Sequence, residues 1–256
     1  NNTATGLAGS GTGDIASFTT TNTTNAAIIS TITVTPSYNN AGVTCTGTAQ
    51  TFTITVNPTP TVNQVTNIEY CGGTSQSAIN FSGTSSNTTY PWTSTQNVGF
   101  NTSGTGNISS YTLDPSSQVI STITVTPIFT GSGISCNGPV STFTITVNPT
   151  PTITNASLTQ AICSGANTTA VTWIPSPVGT TFAWTGAAST PNITGFTAAG
   201  SGNLPVMAIS NSGNTPGTVT YTVTPIGSNG CTGNTFTVNV TVNPEPSLTN
   251  QTGTTC

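Results

Sequence analysis

The sequence predicts an all-β protein made of tandem β-sandwich domains. Three observations lead to this prediction: a strand-like phrase that recurs along the chain, a strict alternation of apolar and polar residues within it, and an abundance of Thr, Val and Ile. Branched side chains of this kind pack well on a half-buried pleated strand. Hydrophobic residues make up 33% of the chain and charged residues only 2%. Because disordered chains are usually charged and poor in β-branched residues, we expect this chain to be folded.

The recurrent phrase is TFTITVNPTP, found at residues 51–60 and again at residues 142–151, with a looser copy at residues 235–246. Each copy is preceded by a second phrase, STITVTP or TVTYTVTP, and further upstream by a glycine-rich phrase such as GTGN or GSGN. The period of about ninety residues is too long for one unit of a solenoid and matches the size of an immunoglobulin-like sandwich.

These phrases divide the chain into four predicted segments. Residues 1–57 (the first copy) are the C-terminal part of a sandwich, and residues 58–148 (the second copy) and 149–243 (the third copy) are complete sandwiches. Residues 244–256 are predicted to be the first strand of the next repeat. Each complete copy offers seven alternating runs, as expected for a seven-stranded sandwich. In the third copy these runs are residues 152–162, 169–174, 180–185, 193–198, 205–210, 218–225 and 235–242.

The recurrent phrase itself predicts the last strand of a sandwich followed by a linker. Phe52, Ile54 and Val56 alternate with Thr, so we expect them to face the core. Proline cannot donate to a strand ladder and keeps the chain extended. The Asn-Pro-x-Pro that follows the strand therefore predicts a semi-rigid joint, and the joints together predict a rod of domains. The linker residues are Pro58, Pro60, Pro149, Pro151, Pro244 and Pro246.

The absence of Lys, Arg and His from the sequence excludes several classes of function. Nothing could neutralise phosphates, so nucleic acid is not an expected partner, and no polybasic segment could attach to an anionic membrane. The usual general bases and Schiff-base amines are missing as well. We therefore predict no catalytic residue, no cofactor, no metal site and no direct membrane contact. The glycine-rich phrases carry Asp14, Asn107 or Asn203 and no Lys, so we interpret them as turns or bulges rather than phosphate-binding loops.

The tryptophans allow two interpretations. Trp92 and Trp184 occupy equivalent positions in the phrases TTYPWT and TTFAWT, and Trp173 lies in a separate predicted strand. We predict that all three fill the core between the sheets, as a strand-C tryptophan does in immunoglobulin-like domains. The alternative is an exposed aromatic face that stacks on sugar, formed by Trp92 and Trp184 or by Tyr38 and Phe129 in the hairpin loops.

The six cysteines lie near the start and the end of each copy. Their even number, their regular positions and the absence of a C-x-x-C motif favour disulfides over zinc sites. Disulfides persist in oxidising surroundings, so we expect an extracellular location.

Six phrases of the third copy and its linker, ICSG, TTFAWT, GSGN, TVTYTVTP, GCTG and TVNPEP, carry a family resemblance. Together they resemble the PKD-like, immunoglobulin-like repeats of giant surface adhesins of gliding bacteria, which are exported by the type IX route. The resemblance covers the whole chain. It implies an extracellular filament anchored at the cell surface, in which the repeats act as a stalk. The family has no catalytic residues to transfer to this sequence.

Three disulfide patterns are open. Pairing within copies gives Cys71–Cys136 and Cys163–Cys231. Pairing between nearest neighbours gives Cys45–Cys71, Cys136–Cys163 and Cys231–Cys256. Sandwich topology favours a third pattern, because the end of the first strand and the turn before the last strand lie at opposite ends of a domain. Ten extended residues span about 33 Å, whereas a disulfide requires Cα atoms within about 7 Å. We therefore prefer Cys71–Cys231, between the second and third copies, with the other four cysteines paired outside this segment.

These observations together favour a structural stalk segment of an extracellular surface filament or adhesin. Its expected partners are neighbouring repeats of the same chain, with lateral self-association and surface glycans as alternatives. Two other functions stay open: a glycan-binding module, which would require the exposed aromatic face, and a self-assembling sheath or surface-layer subunit, in which repeats pack side by side.

Overall fold

The computed structural model describes residues 2–155, 158–248 and 253. These residues group into two compact units. Unit 1 consists of Asn1–Glu69, Ser75–Leu113 and Ile120–Thr146, and unit 2 consists of Tyr70–Thr74, Asp114–Val119 and Val147–Cys256. Unit 2 therefore combines the third copy with short segments of the second.

The first and second copies contain one 3-10 turn, Thr3–Thr5, and twelve strands. In chain order these strands are β1 (Ile28–Val34), β2 (Ser37–Asn40), β3 (Val43–Thr46), β4 (Gln50–Val56), β5 (Ile68–Cys71), β6 (Thr88–Thr89), β7 (Pro91–Ser94), β8 (Ser103–Thr105), β9 (Val119–Val125), β10 (Ile128–Gly131), β11 (Ile134–Asn137) and β12 (Ser141–Asn148).

In the first copy, β1 and β4 form a two-stranded antiparallel sheet in which Ile32 lies opposite Phe52. Val56 is buried and Ile54 is half-buried, but Phe52 is 46% exposed. The prediction that Phe52 faces a core is therefore wrong in this structure. The physical reason is that the described part of the first copy has no second layer of strands to cover the β1–β4 sheet.

The second copy builds a five-stranded sheet in the order β5-β12-β9-β7-β8. Alternate residues of its central strands are 3% exposed or less, including Phe143, Ile145 and Ile123. This alternation is what a strand half-covered by a second layer requires. The covering layer is held by isolated antiparallel bridges, one of which pairs Ile79 with Ile108, and both of these side chains are buried as well.

The third copy repeats this plan with longer strands. Its strands are β13 (Thr152–Ile153), β14 (Thr159–Cys163), β15 (Pro175–Ser176), β16 (Thr181–Ala188), β17 (Ile193–Thr194), β18 (Ala199–Ser201), β19 (Ser210–Asn211), β20 (Gly217–Ile226) and β21 (Phe236–Asn243). One layer is the sheet β14-β21-β20-β16-β18, and the other contains the pairs β13–β15 and β17–β19.

The pairing of β14 with β21 is parallel, whereas β20 pairs antiparallel with both β21 and β16. β14 is the edge strand of this sheet, while β13, from the same predicted run, pairs in the other layer, so the first run of the copy contributes a strand to each layer. Val219, Tyr221 and Val223 of β20 and the alternate valines of β21 are fully buried between the layers. The predicted all-β sandwich fold is confirmed.

The predicted strand runs of the third copy are only partly correct. The run 152–162 is split into β13 and β14, and of the run 193–198 only the first two residues form a strand, β17. The run 169–174 contributes the isolated bridge of Val171 with Leu204, and the run 205–210 contributes the bridge of Ala208 with Asn167 and the first residue of β19. Alternation of apolar residues reports which side chains are buried, and these segments are buried on one face without forming a continuous ladder.

Candidate functional site

Cys71 and Cys231, which both belong to unit 2, form a disulfide in the structure. Their Cα atoms are 5.6 Å apart, within the range that a disulfide requires. Cys71 ends β5 in the second copy, and Cys231 lies between β20 and β21 in the third, 160 residues further along the chain. The bond therefore joins two copies of the repeat covalently.

The turn that follows β5 is fixed by two glycines. A Cβ on Gly72 would lie 3.0 Å from Cδ of Pro115 and 3.2 Å from the carbonyl oxygen of Asn148, so a side chain there would force its neighbours to shift. Gly73 has φ +74°, in the left-handed region that favours glycine. The N–H of Gly72 donates to the carbonyl of Asn148 at 2.7 Å, and the hydroxyl of Thr150 donates to the carbonyl of Gly72 at 2.8 Å. These bonds tie the end of β5 to the start of the next linker.

The other half of the disulfide lies in a tight, hydrogen-bonded turn. The N–H of Gly227 donates to the carbonyl of Cys231 at 2.8 Å, and the N–H of Gly230 donates to the carbonyl of Gly227 at 2.9 Å. Cys231 is only 2% exposed. The bond is therefore shielded from solvent on this side, which limits the access of an attacking thiolate.

Asn148, the asparagine of the second linker, makes side-chain contacts in unit 2. Its Oδ1 accepts from Nδ2 of Asn229 at 2.5 Å and from Nε2 of Gln118 at 2.8 Å. Asn57 is the equivalent residue of unit 1, where its Nδ2 donates to the carbonyl of Gly131 at 2.9 Å. The last residue of the second copy thus contacts the turn between β20 and β21 in unit 2, and the last residue of the first copy contacts the end of β10 in unit 1.

In each complete copy, the preceding linker packs against the glycine that follows Cys136 or Cys231 by two residues. A Cβ on Gly233 would overlap the carbonyl oxygen of Pro151, and a Cβ on Gly138 would overlap the carbonyl oxygen of Pro60. Only glycine leaves room for the linker backbone to pass this close. Of the predicted linker residues, Pro58, Pro60 and Pro151 are buried, Pro149 and Pro244 are half-buried, and Pro246 is exposed.

The remaining cysteines form no disulfide within the described part of the chain. Cys45 of β3 and Cys163 of β14 are exposed, and Cys136 of β11 is half-buried. Cys136 and Cys45 have equivalent positions, since each lies opposite an aromatic residue in its hairpin, Phe129 or Tyr38. Cys256 lies outside the described residues.

All three tryptophans are buried, with 7% of Trp92 and 4% of Trp173 and of Trp184 exposed. The indole N–H of Trp92 donates to the carbonyl of Gly106 at 3.0 Å, and that of Trp173 donates to the carbonyl of Gly202 at 3.0 Å. The tryptophans therefore have a core role in both complete copies.

The glycine-rich phrases are the surface on which these tryptophans pack. A Cβ on Gly104 would overlap the ring of Trp92, and a Cβ on Gly200 would overlap the ring of Trp184. The asparagine of the phrase holds a neighbouring core segment, since Oδ1 of Asn203 accepts from the backbone N–H of Trp173 at 3.2 Å. In the complete copies each phrase contains a short strand, β8 or β18, and then bends at Gly106 or Gly202, where φ is positive, so the prediction of a turn or bulge is only partly correct.

The aromatic face proposed for sugar stacking is not assembled in the structure. Trp92 and Trp184 are buried, and so is Phe129, which is 4% exposed. Tyr38 alone of the four is accessible, with 69% of its surface exposed. A single exposed tyrosine does not make the pair of rings that the hypothesis requires.

The most perturbed titratable group is a core residue. Burial raises the pKa of Tyr221 to about 12, because the phenolate would be desolvated between the sheets. Its hydroxyl donates to the sulfur of Met207 at 3.3 Å. Burial also raises the pKa of Tyr111 and of Tyr90. Within the described residues, no three His, Cys, Asp or Glu side chains come together as metal ligands.

Sequence reasoning did not identify Asn57, Asn148, Gly138 and Gly233 as residues of the joint. Their signal was present: the asparagine precedes the proline pair in every copy, and a Cys-x-Gly triplet recurs at residues 45–47, 136–138 and 231–233. The triplet places the glycine two residues after the cysteine, just outside the neighbouring strands. That position is where the linker carbonyl must pass.

The fold and the crosslink define an immunoglobulin-like structural module, of a type that is ordinarily non-catalytic. Residues 160–246 match the family model described as the PKD-like domain. This match supports a PKD-like, immunoglobulin-like repeat in the third copy. No curated protein matches the chain. None of the helices in the described residues has the length and apolar character needed to cross a membrane.

Several solved structures of tandem sandwich domains are similar to this chain. A protocadherin gammaB7 EC3-6 cis-dimer structure matches with a TM-score of 0.42 and 14% identity, over 85% of this chain and 60% of that one. A titin I67-I69 variant matches with a TM-score of 0.38 and 9% identity, over 87% and 94%. The insect immune protein hemolin matches with a TM-score of 0.39 and 15% identity, over 82% and 56%. The chain thus spans about three fifths of the protocadherin chain.

Proposed function

We propose that this chain is a structural stalk segment of an extracellular surface filament or adhesin. The observation that carries the proposal is the Cys71–Cys231 disulfide, which joins the second copy to the third. A covalent bond between neighbouring copies holds their junction together, which a stalk requires and a domain that acts alone does not. An oxidised disulfide also favours an extracellular location.

The contacts around the linker support the same role. Asn148 and Asn229 bond across the junction between the two copies, and the carbonyl of Pro151 fits against Gly233. Proline-containing linkers behave as semi-rigid spacers, and these contacts restrict the linker further. A joint with so little freedom suits a stalk better than a flexible tether.

We extend the crosslink to the other cysteines by equivalence. Cys136 occupies the position of Cys231 one copy earlier, and Cys163 occupies the position of Cys71 one copy later. On this proposal, Cys136 and Cys45 pair with first-strand cysteines of preceding copies, and Cys163 pairs with a following copy. The domain boundaries proposed from the sequence, 58–148 and 149–243, then define the crosslinked repeat.

The context of the filament comes from the family resemblance. The PKD-like match over residues 160–246 agrees with that resemblance at the level of the repeat. We propose that the chain belongs to a cell-surface adhesin of gliding bacteria exported by the type IX route. Its composition suits an exposed filament of this kind, because it has no Lys or Arg at which a trypsin-like protease could cut.

Lateral packing of stalks is a second candidate role, favoured by the low charge of the chain. The formal net charge is −4 over 256 residues, so neighbouring copies repel each other only weakly. Light scattering of the purified chain over a range of concentrations tests this role. A particle mass that rises with concentration supports a sheath, and a constant monomer mass contradicts it.

The stalk proposal is tested on the producing cells. Antibodies raised against the chain, carrying gold particles, are expected to decorate surface filaments of intact cells, and negative staining is expected to show a row of beads. Label found only after the cells are opened would contradict the extracellular location. A single compact particle in place of a row of beads would contradict the stalk.

A further inference from the structure

We propose that the Cys71–Cys231 disulfide is a covalent shortcut, through which tension along the chain bypasses most of the two complete sandwiches. The inference rests on the proposed stalk function, because only a chain under tension has a load to divert. It goes beyond that function in assigning the load to particular strands and in naming the residues that carry none.

The covalent path defines the shortcut. Tension that arrives through the linker at Pro58 passes along β5 to Cys71 and crosses the disulfide to Cys231. It then leaves along β21 to Asn243 and the following linker. Residues 72–230 are attached to this path at both ends but lie outside it, as a loop closed by the sulfur–sulfur bond.

The closed loop contains most of the buried core, although the buried valines of β21 lie outside it. β6 to β12 belong to it, and so do β13 to β20, together with all three tryptophans. The cysteines are 160 residues apart in sequence. At about 3.5 Å per extended residue, the loop stores roughly 500 Å of chain that tension cannot draw out while the disulfide is intact.

The two ends of the shortcut are anchored close to the sulfur atoms. On one side, the backbone of Gly72 is bonded to Asn148 and Thr150. On the other side, Cys231 is buried in a turn closed by Gly227. Because these hydrogen bonds hold both cysteines in the folded state, the disulfide can take up tension before any strand detaches.

The position of the loaded strands limits what tension can disrupt. β5 is at the edge of its sheet and pairs only with β12, so it can detach without separating the other strands. β21 pairs with both β14 and β20 and is held more firmly. We therefore expect short extensions, from β5 first, and no extension of the length of a sandwich domain.

Single-molecule pulling tests the shortcut on the full 256-residue chain, held at its two ends through tags that do not use thiols. The oxidised chain is expected to show no unfolding step from residues 72–230 at forces that unfold the Cys71→Ser variant. That variant, and the parent chain after reduction, are expected to extend further by roughly 500 Å in total. The first copy lies outside the loop and contributes equally in every case. Cys163→Ser, which removes a cysteine without a disulfide in the structure, is the matched control and should behave as the parent does.

Two results would overturn the proposal. The oxidised parent could extend as far as Cys71→Ser, which would mean that the disulfide does not divert the load. Alternatively, Cys71→Ser could show no domain-sized steps, which would mean that the loop needs no protection. Both results are obtained with purified protein, so they are independent of the cell-surface labelling that tests the stalk function.

Discussion

Trp173 and Trp184 lie in the same core, but only the indole N–H of Trp173 has a hydrogen-bond acceptor there. Trp173 donates its indole N–H to the carbonyl of Gly202, while the indole N–H of Trp184 is buried with no hydrogen-bond partner in the described residues. In the second copy the residue equivalent to Trp173 is Phe81, and there Trp92 donates to the equivalent carbonyl, that of Gly106. In the third copy, Trp173 thus occupies the carbonyl acceptor that would otherwise be open to Trp184.

This difference predicts unequal costs for the same substitution in the two copies. Trp92→Phe removes a hydrogen bond as well as core volume, whereas Trp184→Phe removes volume together with an unpaired donor. We expect Trp92→Phe to lower the free energy of unfolding by about 1 kcal/mol more than Trp184→Phe. Urea denaturation of both variants measures the difference. An equal cost, or a larger cost for Trp184→Phe, would contradict the hydrogen-bond assignment.

The joint glycine predicts a large effect from a small substitution. Gly233→Ala places a Cβ against the carbonyl oxygen of Pro151, and the linker backbone must move to admit it. We expect a loss of about 2–4 kcal/mol in the free energy of unfolding of the third copy, in the range of strained backbone and overpacked cores. Gly11→Ala is the matched control, because a Cβ there meets nothing within 4 Å. Denaturation midpoints close to that of the parent for both variants would show that the linker does not pass against Gly233.

Limited proteolysis is expected to cut within the first copy before it cuts the complete copies. Trypsin should leave the chain intact, folded or unfolded, since there is no Lys or Arg. Chymotrypsin should cut the native protein after Tyr38 and Phe52, which are 69% and 46% exposed. It should spare Trp92 and Trp184 until the chain is unfolded. Mass spectrometry of the fragments identifies the sites, and early cleavage after either tryptophan would place it outside the core.

The raised pKa of Tyr221 predicts a loss of stability at high pH. The folded chain holds the phenolic proton up to about pH 12, whereas an unfolded tyrosine releases it near pH 10. The stabilisation is therefore complete below about pH 10 and decreases as the pH rises towards 12, by about 2–3 kcal/mol in total. Denaturation of the parent and of Tyr221→Phe at pH 7 and above pH 10 measures this contribution. The same alkaline loss in both proteins would assign it to other groups.

The sequence predicted the sandwich fold better than its individual strands. Val219, Tyr221 and Val223 alternate with threonines over a long run, and such a pattern has one solution, a strand covered on one face. Residues 169–174 and 205–210 also alternate, but a buried segment can lie against the core through a single bridge, and periodicity does not reveal how many ladder bonds form. The exposure of Phe52 depends on which strands are available to cover it, and local pattern carries no information on that.

The joint was predicted from the sequence less well than the other parts of the site. The asparagine before the proline pair was interpreted as part of a linker, although Asn148 is 2% exposed and bonded to Asn229. Contacts of this kind join residues far apart in sequence, and only the three-dimensional arrangement brings them together. The recurrence of Cys-x-Gly in each copy was visible, but its meaning depends on the closeness of the linker carbonyl.

The most direct test of the account is a disulfide map of the native protein, because the covalent link between copies underlies both the stalk and the shortcut. Free thiols are alkylated, the chain is digested with pepsin without reduction, and the crosslinked peptides are identified by mass spectrometry. The account predicts a peptide containing Cys71 joined to a peptide containing Cys231. A peptide containing Cys71 joined to one containing Cys136 would place the bond within a copy, and would contradict the crosslink between repeats.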